Sequence, residues 1–201
     1  AYGILSIPGG NLIDRIGYKK GILVGLGLAA LGCLLFYPAA ETRIYVLFLL
    51  ALFVVAGGIT ILQVAANPYI SVLGAPETAS SRLNLAQAFN SLGTTIAPII
   101  AASFLLGDQI LTADEQAALS SADLETYRLG EAAAVQGPFV FLALGFLVLA
   151  VLIGLSKLPR ILGGKLPGGM AQAWSNTTLR MGAVAIFVYV GAEVAIGSYM
   201  V

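Results

Sequence analysis

Histidine is absent from this 201-residue chain, cysteine occurs once, and Asp, Glu, Lys and Arg together make up only 10 % of it. Without imidazole there is no histidine base, proton relay or metal ligand. A lone Cys33 excludes a disulfide within the chain, and its place in an apolar run makes it a small packing residue. No G-x-S-x-G motif and no paired acids inside an apolar run are present, so the groups an intramembrane enzyme needs are missing and none is expected. Apolar surface is what the chain has in excess: 59 % of residues are hydrophobic, and the mean hydropathy is +0.94. A water-soluble domain of this length needs a far more charged exterior, so the chain is read as a membrane protein.

Apolar runs end near Ile13 and then cover roughly residues 21–38, 44–73, 83–107, 135–156 and 179–201. About twenty residues cross the hydrocarbon as a helix, so each complete run is long enough. None alternates as a barrel strand does, which leaves an all-α polytopic membrane helical bundle. The run 44–73 exceeds a single crossing and is expected to tilt or project. The chain starts without Met inside one apolar run and stops inside another, with no cleavable leader pattern, so it reads as a piece of a longer protein.

Eight of the ten basic residues fall in three alternate connections: Arg15, Lys19 and Lys20, then Arg82, then Lys157, Arg160, Lys165 and Arg180. Loops 14–20, 74–82 and 157–178 are therefore expected on the cytoplasmic side. Six of the ten acids lie between Asp108 and Glu131, which places loop 108–134 in water on the outer side. Thr112 and Glu115 have the spacing of a capping box, and the alanine-rich sequence up to Ala134 suits short interfacial helices. Gly21, Gly25, Ala29 and Cys33 recur every four residues and form a smooth strip along which another helix can approach. Gly57 and Gly58 permit either a bend or a close neighbour, and Pro68 removes a helical hydrogen bond beside Asn67, as alternating access would use.

Two of the apolar runs carry amides on one helical face, Gln63 and Asn67 in one and Asn84, Gln87 and Asn90 in the other. At about 100° per residue, Thr60, Gln63, Asn67 and Ser71 span an arc of about 80°, and Asn84, Gln87, Ser91, Thr94 and Thr95 one of about 100°. An amide offers donors and an acceptor, so facing stripes suit a cavity that grips hydroxyls without requiring a charged ligand. The same amides also serve to stitch helices together, and that alternative stays open.

The connection Gly10-Asn11-Leu12-Ile13-Asp14-Arg15-Ile16-Gly17-Tyr18-Lys19-Lys20 resembles the loop between the second and third helices of the major facilitator superfamily. Gly10, Leu12, Asp14, Arg15, Gly17 and Lys19 match its G-x-L-x-D-R-x-G pattern and the basic residues that follow, while Tyr18 replaces a frequent Arg. The resemblance implies a gating set of Asp14, Arg15, Gly17 and Lys19, with Asp14 contacting the other half of the protein and Arg15 and Lys19 as its local partners. Gln63-Val-Ala-Ala-Asn67-Pro68-Tyr69, Leu73-Gly74 and Arg82-Leu-Asn84-Leu-Ala-Gln87-Ala-Phe-Asn90-Ser91 look like the fourth and fifth helices of the fucose:proton symporter and glucose/galactose permease family.

That likeness implies part of a twelve-helix, two-bundle fold. Residues 1–156 would be helices two to six of the amino-terminal bundle, 157–178 the central cytoplasmic connection and 179–201 helix seven. Gln63, Asn67, Gln87 and Asn90 would hold sugar hydroxyls, with Tyr69 or Tyr189 stacking on a sugar face. Fucose symporters carry glutamate where this chain has Gln63, and an amide cannot relay a proton. The segment Tyr189-Val-Gly191-Ala192-Glu193-Val-Ala-Ile-Gly197-Ser198 looks more like the glucose/galactose branch. Its Glu193, a carboxylate inside an apolar span, is the expected cation-coupling residue, with direct sugar bonding or sodium binding as its other roles. The implied activity is secondary active import of a neutral monosaccharide, glucose- or galactose-like, by symport with a proton or sodium and alternating access. A fucose or N-acetylhexosamine symporter and a channel-like membrane protein are the alternatives. The expected partners are a small-molecule sugar and the lipid bilayer, with no cofactor and no nucleic acid, in a monomer of a bacterial cytoplasmic (inner) membrane.

Overall fold

A computed structural model describes residues 2–105, 111–159, 161 and 174–199. The described residues form helices without strands: α1 Tyr2–Ile16, α2 Tyr18–Thr42, α3 Tyr45–Val72, α4 Ala79–Leu105, α5 Ala113–Ala118, α6 Ser121–Ala134, α7 Gln136–Leu155 and α8 Thr177–Tyr199. The all-α fold class therefore holds. The chain divides into two compact units, Ala1–Gly163 and Gly164–Val201.

In the first unit the glycine strip of α2 is the seam against α3. Gly21, Gly25, Ala29 and Cys33 are all buried. A Cβ on Gly25 would lie 2.7 Å from Leu62 N and 2.9 Å from Gly58 O, and one on Gly58 would lie 2.8 Å from Gly25 O. The two glycines thus face each other backbone to backbone, so Gly58 serves close approach rather than a bend. Pro68 sits inside α3 without ending it. At one end of this seam Ile13, Ile22, Leu26, Ala65 and Tyr69 form a buried cluster, flanked by Phe146, Ala150 and Ile153 of α7. Toward the other end Phe36 of α2 stacks on Phe139 of α7 at 3.7 Å between ring centroids and meets Phe48 of α3 edge-on at 5.9 Å.

Away from these seams apolar side chains point outward, as with Phe141 and Leu155 of α7, 77 % and 79 % exposed. Among the described residues, Tyr18–Thr42, Tyr45–Val72 and Ser121–Leu155 are long and apolar enough to cross a membrane. Element ends also move: α2 begins at Tyr18, so Lys19 and Lys20 lie in its first turn, and Pro76 opens a 3-10 turn, Pro76–Thr78, that starts α4 at Ala79 rather than at residue 83.

Residues 111–134 contain the two short helices their composition suggests. Thr112 and Glu115 close a full capping box, with Thr112 N donating to Glu115 Oε2 at 2.7 Å and Glu115 N to Thr112 Oγ1 at 3.4 Å. These hydrogen bonds hold the Glu115 carboxyl below its ordinary range. Arg43, in the left-handed conformation at the end of α2, reaches Glu125 at 3.3 Å. Both side chains are exposed, so the pair contributes at most about 1 kcal/mol.

Candidate functional site

Helices α3 and α4 run as an antiparallel hairpin about Leu73, Gly74, Ala75 and the 3-10 turn. With about 1.5 Å of rise per residue, Asn67 and Gln63 lie about 8 and 14 Å from the end of α3, and Gln87 and Asn90 about 12 and 17 Å from the start of α4. All four amides therefore occupy one band of depth, near the middle of a hydrocarbon layer about 30 Å thick. Gln63 and Asn67 are half-buried, and Gln87 and Asn90 are exposed. Among the described residues none of the four makes a hydrogen bond, although an amide left unpaired in apolar surroundings is costly. Among the described residues they therefore stitch no two helices together.

The hydroxyls of the two stripes behave differently. Thr60 is fully buried and donates to Ala56 O at 2.7 Å, so it does not line a cavity. Ser71 donates to Asn67 O at 3.2 Å, and Thr94 and Thr95 each donate to Ser91 O at 2.9 Å. Short hydroxyl side chains reach the carbonyl one turn back in their own helix, whereas the longer amides do not. The polar face thus reduces to its amides.

Tyr69 is not a sugar platform in this structure. It is 2 % exposed, stacks on Tyr18 at 5.7 Å, and donates its hydroxyl to Pro159 O at 2.8 Å. Tyr189 is 66 % exposed on α8 in the second unit. Glu193 belongs to the same helix, four residues on, and its side chain lies outside the described residues.

The gating motif forms the turn between α1 and α2. Gly17 is buried with φ 82°, a left-handed conformation that favours glycine, which accounts for the glycine at this point of the motif. Its N–H donates to Ile13 O at 2.7 Å and its carbonyl accepts from Gly21 N at 2.9 Å, so one residue links both helices. Lys19 departs from expectation: its ammonium donates to Gly154 O at 2.9 Å and Ser156 O at 2.6 Å, at the end of α7. Carbonyls there lack helical partners and carry partial negative charge, which draws the cation away from Asp14. Among the described residues Asp14 is half-buried and forms no ion pair, so the local pairing with Arg15 or Lys19 is absent. A cavity of about 440 Å³ opens at this turn, beside Arg15, Lys19, Lys20 and Gly154. It is separate from the amide band.

Sequence reasoning gives Arg82 no role beyond one more basic residue and the first position of the second motif. In the structure its guanidinium is a four-point clamp on the hairpin turn. Nε donates to Ile70 O at 3.1 Å, Nη2 to Ser71 O at 2.9 Å, and Nη1 to Ala75 O at 3.0 Å and to Thr78 Oγ1. The available signal was its place, about one turn after a helix–turn–helix junction whose last carbonyls need donors.

Against known proteins, the model of the Major Facilitator Superfamily matches residues 1–200. A glucose/galactose transporter of Brucella abortus biovar 1 is 51 % identical over 207 residues, covering 100 % of this chain and 46 % of that protein. The L-fucose-proton symporter of Escherichia coli K12 is 37 % identical over 209 residues, covering 100 % of this chain and 48 % of that protein. A crystal structure of the E. coli fucose:proton symporter superposes with a TM-score of 0.87 over 98 % of this chain and 50 % of that one, at 37 % identity. The chain spans about half the length of the curated relatives it matches.

Proposed function

The chain belongs to the major facilitator superfamily, and on that premise we propose that the full-length protein is a secondary active transporter importing a neutral monosaccharide by cation symport. The observation that carries this reading is the band of four amides at one depth on α3 and α4, each without a hydrogen bond among the described residues. Neutral donors and acceptors at the membrane midplane suit a polar, uncharged solute, and midplane sites are where alternating-access carriers bind. The relatives named for glucose/galactose and for L-fucose support a hexose-sized ligand. A glucose- or galactose-like substrate is favoured because the neutral Gln63 stands where the resemblance to fucose symporters calls for a glutamate.

In this reading residues 1–156 supply helices two to six of the first bundle, 157–178 the cytoplasmic connection and 179–201 helix seven. Glu193 of α8 is the coupling carboxylate, taking up a proton or sodium on one side and releasing it on the other, with Tyr189 one turn away. Asp14, half-buried and unpaired among the described residues, is free to meet the second bundle and hold one gate, while Gly17 and Lys19 fix the turn that presents it. The protein works as a monomer in the inner membrane of a bacterium, with the α1–α2 turn inside and the acidic loop outside. The test is uptake of labelled glucose into cells expressing the full-length protein, competed by galactose, mannose, fucose and N-acetylglucosamine. Saturable uptake that collapses with the ion gradient and is competed by galactose supports the reading. Non-saturable flux indifferent to every competitor overturns it.

A further inference from the structure

The clamp at Arg82 has a consequence for the amides. Three nitrogen atoms of one guanidinium, carried by α4, converge on two carbonyls in the last turn of α3, those of Ile70 and Ser71, and on the turn that follows. Charge bias toward the cytoplasmic side explains a cation here but not this convergence. A planar fork with all three of its nitrogens engaged fixes orientation as well as distance, which an ammonium cannot do.

Beyond this joint α4 is little covered by the other described residues: from Asn84 to Ile100 only Ala86 is even half-buried. Asn90 lies eight residues past Arg82, a lever of about 12 Å. A tilt of about 5° at the joint would carry its amide about 1 Å, beyond the roughly 0.5 Å tolerance of a working binding constellation. Gly74 leaves room for the fork. It has φ +153°, and a Cβ there would sit 3.0 Å from Nη1 and 3.2 Å from Cζ of Arg82.

We infer that Arg82 is a positioning residue for sugar binding: its clamp on the end of α3 sets the tilt of α4 and so holds Gln87 and Asn90 in register with Gln63 and Asn67. This rests on the sugar reading above, and two measurements on the full-length protein separate the two ideas. The first is sugar affinity by isothermal titration. Arg82→Ala should weaken it about tenfold and Arg82→Lys, which keeps the charge but loses the fork, about threefold. Gly74→Ala should act in the same direction by displacing an intact guanidinium, and it serves if Arg82→Ala fails to insert.

The second measurement is the electron-spin distance distribution between labels at Phe53→Cys on α3 and Ile96→Cys on α4, in a Cys33→Ala background. The clamped protein should give one narrow distribution, and Arg82→Lys and Gly74→Ala should broaden it. Saturating sugar should narrow it again, because ligand contacts restore the register. A purely structural role would not respond to sugar. If Gln87→Ala and Asn90→Ala bind sugar normally, the sugar reading fails and the sugar-free distance distribution alone decides on the clamp. If those amide variants lose affinity while the Arg82 and Gly74 variants keep both affinity and a narrow distribution, the positioning role is overturned and the sugar reading stands.

Discussion

Gly58→Ala tests the α2–α3 seam, and its effect can be worked from the contacts. The added methyl carbon would press into Ala29 N, 2.8 Å from both Ala29 Cα and Gly25 O. Comfortable heavy-atom separations for such pairs are about 3.5 Å or more, so the helices must part by roughly 0.7 Å or more along the seam. Every atom met is backbone, and none can rotate aside as a side-chain terminus would. Overpacking of this kind costs about 1–3 kcal/mol, here at the upper end, offset by about 0.5–1 kcal/mol from replacing glycine in a helix. The net loss is about 2 kcal/mol. Gly27 lies on α2, the other helix of the seam, with nothing within 4 Å of a Cβ, so Gly27→Ala should gain the helical term without the clash. Thermal inactivation of the detergent-solubilised full-length protein, followed by size-exclusion of the remaining monodisperse fraction, reads both. A drop of about 4–8 °C for Gly58→Ala and a small rise for Gly27→Ala are expected. Equal midpoints for the two variants would refute the seam.

Three further outcomes bear on site and topology. Gln87→Ala and Asn90→Ala should each weaken sugar binding about fivefold or more, since a lost hydrogen bond to a neutral group costs about 1 kcal/mol and an unpaired partner more; normal affinity in both would return the amides to helix stitching. Glu193→Gln should abolish uphill accumulation while exchange of internal for external sugar continues, and accumulation at the unmutated level would remove Glu193 from coupling. With Cys33 replaced, a cysteine at Asp114 should react with an impermeant thiol reagent in intact cells, whereas one at Lys165, outside the described residues, should react only after permeabilisation; the opposite pattern would invert the topology.

The helices, the α2 seam and the capping box were legible because each depends on local spacing: apolar length, a four-residue repeat of small residues, and Thr112 three residues before Glu115. Gly17 was legible as part of a motif, and its positive φ supplies the physical reason. Tyr69 illustrates what spacing cannot carry. Periodicity places it beside an amide stripe, but its fate is decided by Pro159, 90 residues away, whose carbonyl accepts the hydroxyl. Lys19 and Arg82 are hidden for a related reason. The bias of cations toward one membrane face accounts for both at once, and composition does not record that each is spent on carbonyls at a helix end. Thr60 shares an arc with Gln63, yet its short hydroxyl closes on Ala56 within the same helix.

The two amide pairs are therefore mounted differently, and that difference follows from chemistry at their bases. Gln63 and Asn67 stand on α3, whose backbone meets α2 at Gly25 and Gly58 with no space for a methyl group, so their position follows the body of the bundle. Gln87 and Asn90 stand on α4, joined near its start by the Arg82 fork and exposed beyond it. On the proposed reading, a ligand that bridges both pairs would gain contacts with a fixed wall and order a tethered one. Such a ligand binds in proportion to how well the tether already holds the second wall, because any tilt that must be removed on binding is subtracted from the contact energy.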